Sequence, residues 1–277
     1  MMVSTFTTTC GIPPLPDKLV VLVHGGGAHA HWWDHIAPRL KDYATVVAVD
    51  LSGHGTSGRR TRYSVQDWAQ EVLSVATSMN SSARPVIIGA SLGGMVAAGT
   101  ALASHLAGLV TIDSPIRPPH APPPTAPVRR AAHYPDLATA IRRFRTVPDD
   151  TAMPAELRRH IARHSVRRDA EGWTWKFDPA VFDCKRISHA DLRRLDHPSV
   201  LLRADHGMAD PDETSEAARL LGPLAQVSVI QSAAHHATLE QPVAVTTVLG
   251  LLITAWTSQR PCGLPREMAG VNPSRRC

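Results

Sequence analysis

Residues 86–95 read VIIGASLGGM: an apolar run, then Ser91 with a glycine two places to either side. A buried strand has no use for so many residues that cannot fill a core. Two readings fit the turn. It is either a Gly-rich passage from strand to helix in which Ser91 caps the helix, or a strained turn that holds Ser91 out as a nucleophile. The local string does not choose between them, and the decision falls to the rest of the chain.

On either side of this turn, strands and helices alternate with short connections. KLVVLV (18–23) and ATVVAV (44–49) read as strands, WWDHIAPRL (32–40) starts a helix, and SVQDWAQEVLSVATSM (64–79) is an amphipathic helix. PVIIG (85–89) is a third strand, followed by a small-residue helix over 92–106 and a fourth strand, LVTID (109–113). Runs apolar on both faces imply a parallel sheet covered by helices on each side. The rhythm breaks at PIRPPHAPPPTAP (115–127), too proline-rich for helix or strand and read as a stiff linker. From there to about Asp196 the chain is Arg-rich and helical in pattern, with no buried strand. SVLLR (199–203), a helix over 213–221, QVSVI (226–230) and a last helix over 243–256 restore the alternation. The predicted architecture is an α/β fold: a mostly parallel sheet, helices on both faces and an inserted helical cap. The core is expected over 1–115 and 197–260 and the cap over 116–196. The tail, 261–277, has no periodicity and is expected to be disordered.

A chain of 277 residues with 43% apolar content suits one large domain or a core with an inserted lid. The net charge of +5 does not mark a nucleic-acid binder. Its cationic surplus lies in the insert between Arg117 and Asp196, interleaved with acids in the manner of solvated helix faces. An attraction for anionic substrates at a pocket mouth is the second reading of that surplus. No cation precedes Lys18 and no apolar stretch there resembles a secretory signal. Residues 243–256 are too short and too rich in threonine for a membrane span. Cys10, Cys184, Cys262 and Cys277 lie far apart with no CxxC spacing, which indicates neither a zinc site nor a disulfide framework. The expectation is a soluble cytoplasmic protein, monomer or homodimer, acting on a small molecule without nucleic acid, membrane, metal or cofactor.

Three loops come directly after strand C-termini, where open α/β sheets place their sites. HGGGAHAHWW (24–33) has glycines that bring backbone N–H groups close to a ligand, as an oxyanion hole needs. The absence of GKS, GKT or a GxGxxG opening a helix disfavours a phosphate loop. His29, His31 and His35 have no accompanying acid cluster and read as surface or gate histidines. GASLG (89–93) is a Gly-x-Ser-x-Gly in the strand–turn–helix context that motif requires, with the Leu92 N–H aimed where an oxyanion would sit. SAAHHATLEQP (232–242) leaves the last strand, and a histidine there reaches back to a serine on another strand.

Together these residues resemble the α/β-hydrolase superfamily, specifically its capped esterase-like members. HGGGAHAHWW is similar to the family's oxyanion loop and DLSGHGTSG (50–58) to its D-x-x-G-x-G-x-S turn. GASLGG (89–94) is similar to its nucleophile elbow and AAHHATLEQP (233–242) to its histidine region. The resemblance spans 19–256, with the cap matching only in position. It implies Ser91 as nucleophile, His235 rather than His236 as general base, and Gly26 and Leu92 as oxyanion N–H donors. There are two departures. The segment before Lys18 is short for the antiparallel hairpin that usually opens this fold. The family's usual acid position, within RADHGMAD (203–210), is Gly207, with Asp205 two residues early and Asp210 three late. A minority of the family places the acid after the strand that succeeds the nucleophile helix, where this chain has Asp113 in VTIDSP (110–115). Asp113 is the expected acid and Asp205 the alternative.

The reading this supports is a serine hydrolase that cleaves a small-to-medium carboxylic ester or lactone through an acyl-enzyme. A thioester or a C–C bond on the same triad, or a non-catalytic ligand sensor on the same scaffold, are the alternatives. Epoxide hydrolase and haloalkane dehalogenase chemistry use Asp where this chain has Ser91. In GWTWKFDP (172–179), Trp173, Trp175 and Phe177 alternate along one face of an extended segment. They either staple the cap to itself or wall an apolar acyl pocket.

Overall fold

The runs that are apolar on both faces become adjacent strands. The computed structural model describes residues 5–7, 18–80, 82, 84–121, 132–149 and 152–257. The first half contains β1 (Thr5–Thr7), β2 (Leu19–Val23), α1 (Ala37–Leu40), β3 (Thr45–Val49), α2 (Val65–Met79), β4 (Val86–Ala90), α3 (Leu92–Ala103) and β5 (Gly108–Ile112). An insert comes next, with α4 (Leu137–Arg142), α5 (Ala155–His164), β6 (Val166–Asp169) and β7 (Gly172–Trp175). The chain closes through β8 (Ser199–Ala204), α6 (Pro211–Leu221), β9 (Ala225–Ile230), α7 (Ala237–Glu240) and α8 (Pro242–Thr257).

Seven strands form one sheet in the order β1-β3-β2-β4-β5-β8-β9. Every pairing is parallel except that of β1 on β3, so the opening segment supplies one antiparallel edge strand. From β2 the chain steps out to β3, then crosses back past β2 to β4 and continues the other way. At such a reversal the loops part and leave a crevice beyond the carboxyl ends of the strands. The loops after β2 and β4 flank it.

Side-chain alternation divides the core between the two faces. Leu19, Val21 and Val23 pack with residues of α2, α3 and α6, whereas Val20 and Leu22 pack with residues of α1 and α8. The Ser64 hydroxyl caps α2 by accepting the Asp67 N–H. In α8, Val245, Leu249 and Ile253 recur every fourth residue and are fully buried. Glycine and alanine fill most of α3, which is buried almost all round and so sits close against the strands.

The insert differs from the helical cap expected from its sequence. After α4 and α5 it forms an antiparallel hairpin of β6 on β7, then short 3-10 turns at Pro179–Asp183 and His189–Asp191. The strands escape a sequence reading because β6 reads VRRD, which presents no apolar stripe. The hairpin joins the insert to the core: Trp175 packs in a separate cluster with Phe144 and Ile161 of the insert and Leu239 of α7. The tail 261–277 and residues 122–127 of the Pro-rich linker lie outside the described residues. Among the described residues, no helix is long and apolar enough to cross a membrane.

Candidate active site

Ser91 stands between β4 and α3 with φ 53° and ψ −120°, a conformation that costs a non-glycine residue about 1–3 kcal/mol. Its surroundings hold it there. The Ser91 N–H donates to the Ile112 carbonyl at 2.8 Å. An added Cβ at Gly89 would fall on the Gly93 carbonyl, and one at Gly93 on the His24 carbonyl, so the tight turn depends on both glycines. The Ser91 side chain makes no capping bond to α3. It meets His235 instead.

The Ser91 Oγ lies 2.9 Å from His235 Nε2, and His235 Nδ1 lies 2.6 Å from Asp113 Oδ2. These three residues come from the loops after β4, β9 and β5. Asp113 is fully buried, with φ 43°. Its carboxylate also accepts backbone N–H bonds from Met208 at 2.7 Å, Ala204 at 3.2 Å and Ala209 at 3.3 Å. Two of these donors belong to the loop in which the usual acid position is Gly207. A Cβ at Gly207 would fall on the Asp113 carboxylate. Asp113 therefore fills, from the neighbouring strand, the space a side chain at 207 would enter.

Asp205 is not part of this line. Its carboxylate accepts the N–H groups of Ser232 at 2.7 Å and Ala233 at 2.8 Å, and these bonds hold its carboxyl below the usual carboxylate range. It braces the backbone of the loop that carries His235, a positioning contact that the sequence pattern does not reveal.

The loop after β2 packs directly on the elbow. A Cβ at Gly26 would touch Leu92 at 3.4 Å, and one at Gly25 would touch the Cβ of Ser91 at 3.4 Å. Leu92 opens α3, where a helix leaves N–H groups without intrahelical partners. Buried Asp50 ties the loop in place: Oδ1 accepts the Ala30 N–H at 2.7 Å, while Oδ2 accepts the Thr56 N–H at 2.8 Å. His24 donates from Nδ1 to the Gly25 carbonyl at 2.7 Å and accepts the Leu51 N–H on Nε2 at 3.2 Å, a pattern only the neutral ring can make.

A small cavity of about 50 Å³ opens at Ser91 and His235, walled by Trp32, Ile112, Val147, His236 and Ala237, with Gly25 and Gly26 on its floor. Trp173, Trp175 and Phe177, read as either a staple of the cap or a pocket wall, are not among the residues that line this cavity. Trp173 pairs through its backbone with Tyr134, and Trp175 faces Phe144 in the cluster that also holds Leu239. Phe177 stands edge-on to Phe182, and both rings abut Gly27. Trp32 is the aromatic wall that sequence reasoning missed. Its signal was present in HGGGAHAHWW, where it comes shortly after the glycines that were singled out.

Burial keeps most of the nearby imidazoles neutral. It pushes His24 down, His54 and His29 well down, and His236 down to about 3 with further help from His235 beside it. His197, buried beyond the sheet, is lowered for the same reason. His29 is no surface residue: it is buried, and its Nε2 bonds the Ser165 hydroxyl at the end of α5 at 2.8 Å. His35 reaches the Thr238 carbonyl at 2.7 Å, and His31 gathers with two histidines of α5.

A model of the alpha/beta hydrolase family matches residues 20–248. The chain is 29% identical over 249 residues to Esterase Rv0045c of Mycobacterium tuberculosis, a match covering 85% of this chain and 83% of that one. It is 37% identical over 115 residues to the pimeloyl-[acyl-carrier protein] methyl ester esterase of Edwardsiella ictaluri, covering 41% and 42% of the two chains. In fold it is similar to a thioesterase domain from the curacin biosynthetic pathway, with TM-score 0.70 at 19% identity over 90% of this chain and 99% of that one. The peroxisomal alpha-beta-hydrolase Lpx1 of Saccharomyces cerevisiae gives TM-score 0.73 at 17% identity over 97% and 93%.

Proposed function

Because the chain belongs to the alpha/beta hydrolase family and is a hydrolase, we propose that it cleaves a small carboxylic ester through an acyl-enzyme. One observation carries this reading: the unbroken hydrogen-bonded line from Ser91 Oγ through His235 to Asp113. Ser91 attacks the carbonyl carbon and His235 Nε2 takes the hydroxyl proton. Asp113 keeps the proton on Nδ1 and stabilises the imidazolium that forms. The N–H groups of Gly26 and Leu92 receive the oxyanion, and the strained turn holds the Ser91 oxygen out beside His235. His235 then protonates the departing alkoxide, and water repeats the sequence to release the acid. The insert, over 116–196, serves as the cap of the site. The esterase names of the sequence relatives support an ester over a lactone or a C–C bond.

Trp32, Ile112 and Val147 wall the space beside Ser91 with apolar side chains, which favours short acyl chains. Among p-nitrophenyl esters, acetate to butyrate is expected to give the highest kcat/KM. Trp32→Ala is expected to shift the optimum to longer chains while leaving acetate turnover within a few-fold. An unchanged chain-length profile would show that Trp32 does not bound the acyl site. The reading itself is tested by a fluorophosphonate: one adduct per chain, on Ser91, is expected. A protein that takes up no label and hydrolyses no ester would be a binding protein on this scaffold.

A further inference from the structure

The loop after β2 and a helix of the insert meet through imidazoles. His31 stands in the 3-10 turn Ala30–Trp33, just after the glycines, while His160 and His164 stand one turn apart on α5 and share a face. One ring nitrogen from each lies within 4.8 Å of one from each of the others. The His31 and His164 rings stack with centroids 4.1 Å apart, and those of His160 and His164 are 4.4 Å apart. Asp34 orders the group: its Oδ2 accepts the Nδ1–H of His31 at 2.9 Å and the Nε2–H of His160 at 2.7 Å. His164 donates its Nδ1–H to the His160 carbonyl at 2.9 Å. Each ring is thus fixed through one nitrogen by a hydrogen bond. Imidazole ligands of metals are held in the same way.

We propose that His31, His160 and His164 form a site for a divalent transition metal of the Zn²⁺ class, which clips α5 to the loop carrying Gly26. Imidazole donors suit Zn²⁺, Cu²⁺ and Ni²⁺, whereas Mg²⁺ and Ca²⁺ require oxygen. Bonds of about 2.0–2.1 Å in a tetrahedron set the nitrogens about 3.4 Å apart, which is a rotamer adjustment away for partly exposed rings. Water or a carboxylate oxygen of Asp34 completes the shell. A carboxylate bridging two histidines would account for His31 and His160. It gives no reason for His164, which donates nothing to Asp34 and yet lies flat on the His31 ring. The site is independent of the chemistry at Ser91.

The test is a Zn²⁺ titration of tag-free protein by calorimetry, with thermal melts in the presence and absence of metal. One equivalent is expected to bind at about 10 μM or tighter and to raise Tm, with no effect from Mg²⁺. His160→Ala and His164→Ala should each weaken binding by at least about 10²-fold and abolish the rise in Tm. His235→Ala should keep both. Binding only at millimolar Zn²⁺, binding that survives both α5 variants, or binding lost in His235→Ala would overturn the proposal. Should either α5 variant fail to fold, Co²⁺ in the wild type decides. Strong visible absorption of a tetrahedral ion supports the site, and the weak octahedral spectrum of hydrated Co²⁺ refutes it.

Discussion

Ser91→Ala is expected to lower kcat on p-nitrophenyl acetate by about 10⁶, since loss of a serine nucleophile elsewhere costs on that order. The substitution removes one oxygen and leaves everything that shapes the turn. Alanine carries the same Cβ as serine, so the strain at φ 53° is unchanged, as are the backbone bond to Ile112 and the close approach of Gly89 and Gly93. The Oγ has one described partner, His235, which lies beside a cavity and readily takes a water instead. The circular dichroism spectrum and the Tm should therefore match the wild type while the fluorophosphonate adduct disappears. Turnover within tenfold of wild type would exclude an acyl-enzyme on this residue.

Asp113→Asn should cost about 10⁴ in kcat, the scale set when the orienting acid of a serine triad becomes an amide. An asparagine accepts on one atom only. It must turn its NH₂ either to His235 and the Met208 N–H, reversing the tautomer, or to the Ala204 and Ala209 N–H groups, leaving donors face to face. Asp205→Asn should cost far less, about tenfold or under, because its bonds brace backbone and an amide oxygen keeps part of them. Gly207→Ala supplies an independent check. Its methyl group would push the Asp113 carboxylate off His235, and a displacement of about 1 Å is enough for a loss of about 10². A severe loss in Asp205→Asn beside a near-normal Asp113→Asn would move the acid to the loop after β8.

The sheet was legible because burial on both faces leaves a signal that needs no partner: LVVLV and TVVAV have no polar side to present. The crevice was legible for a related reason, since glycines that permit close approach stand out in GASLGG and HGGG. Features that depend on contacts far along the chain were not. The β6 strand is solvated and reads as any charged loop. HIARH displays two histidines a helical turn apart, but their companion His31 is brought to them only by the fold. Asp113 and Gly207 show a middle case. The empty acid position was visible in RADHGMAD, while the reason for a glycine there is steric and requires the Asp113 carboxylate in place.

The buried rings of His24, His54, His197 and His236 set an acid limit on the fold itself. In the unfolded chain each takes a proton near pH 6.5, whereas the folded protein resists it. Below that pH the unfolded state binds more protons, so stability falls with acidification until the folded rings also charge. For His236 alone, whose folded value is about 3, the loss across that interval is about 4–5 kcal/mol. That is a large share of a typical domain's stability, about 5–15 kcal/mol. Melts recorded from pH 8 to pH 5 should show Tm dropping steeply below pH 6.5, and His236→Gln should flatten the fall. Had the drop begun only where carboxylates titrate, these rings would not be its source. Imidazoles buried where a charge is poorly solvated are thus expected to set the fold's acid limit above the carboxylate range.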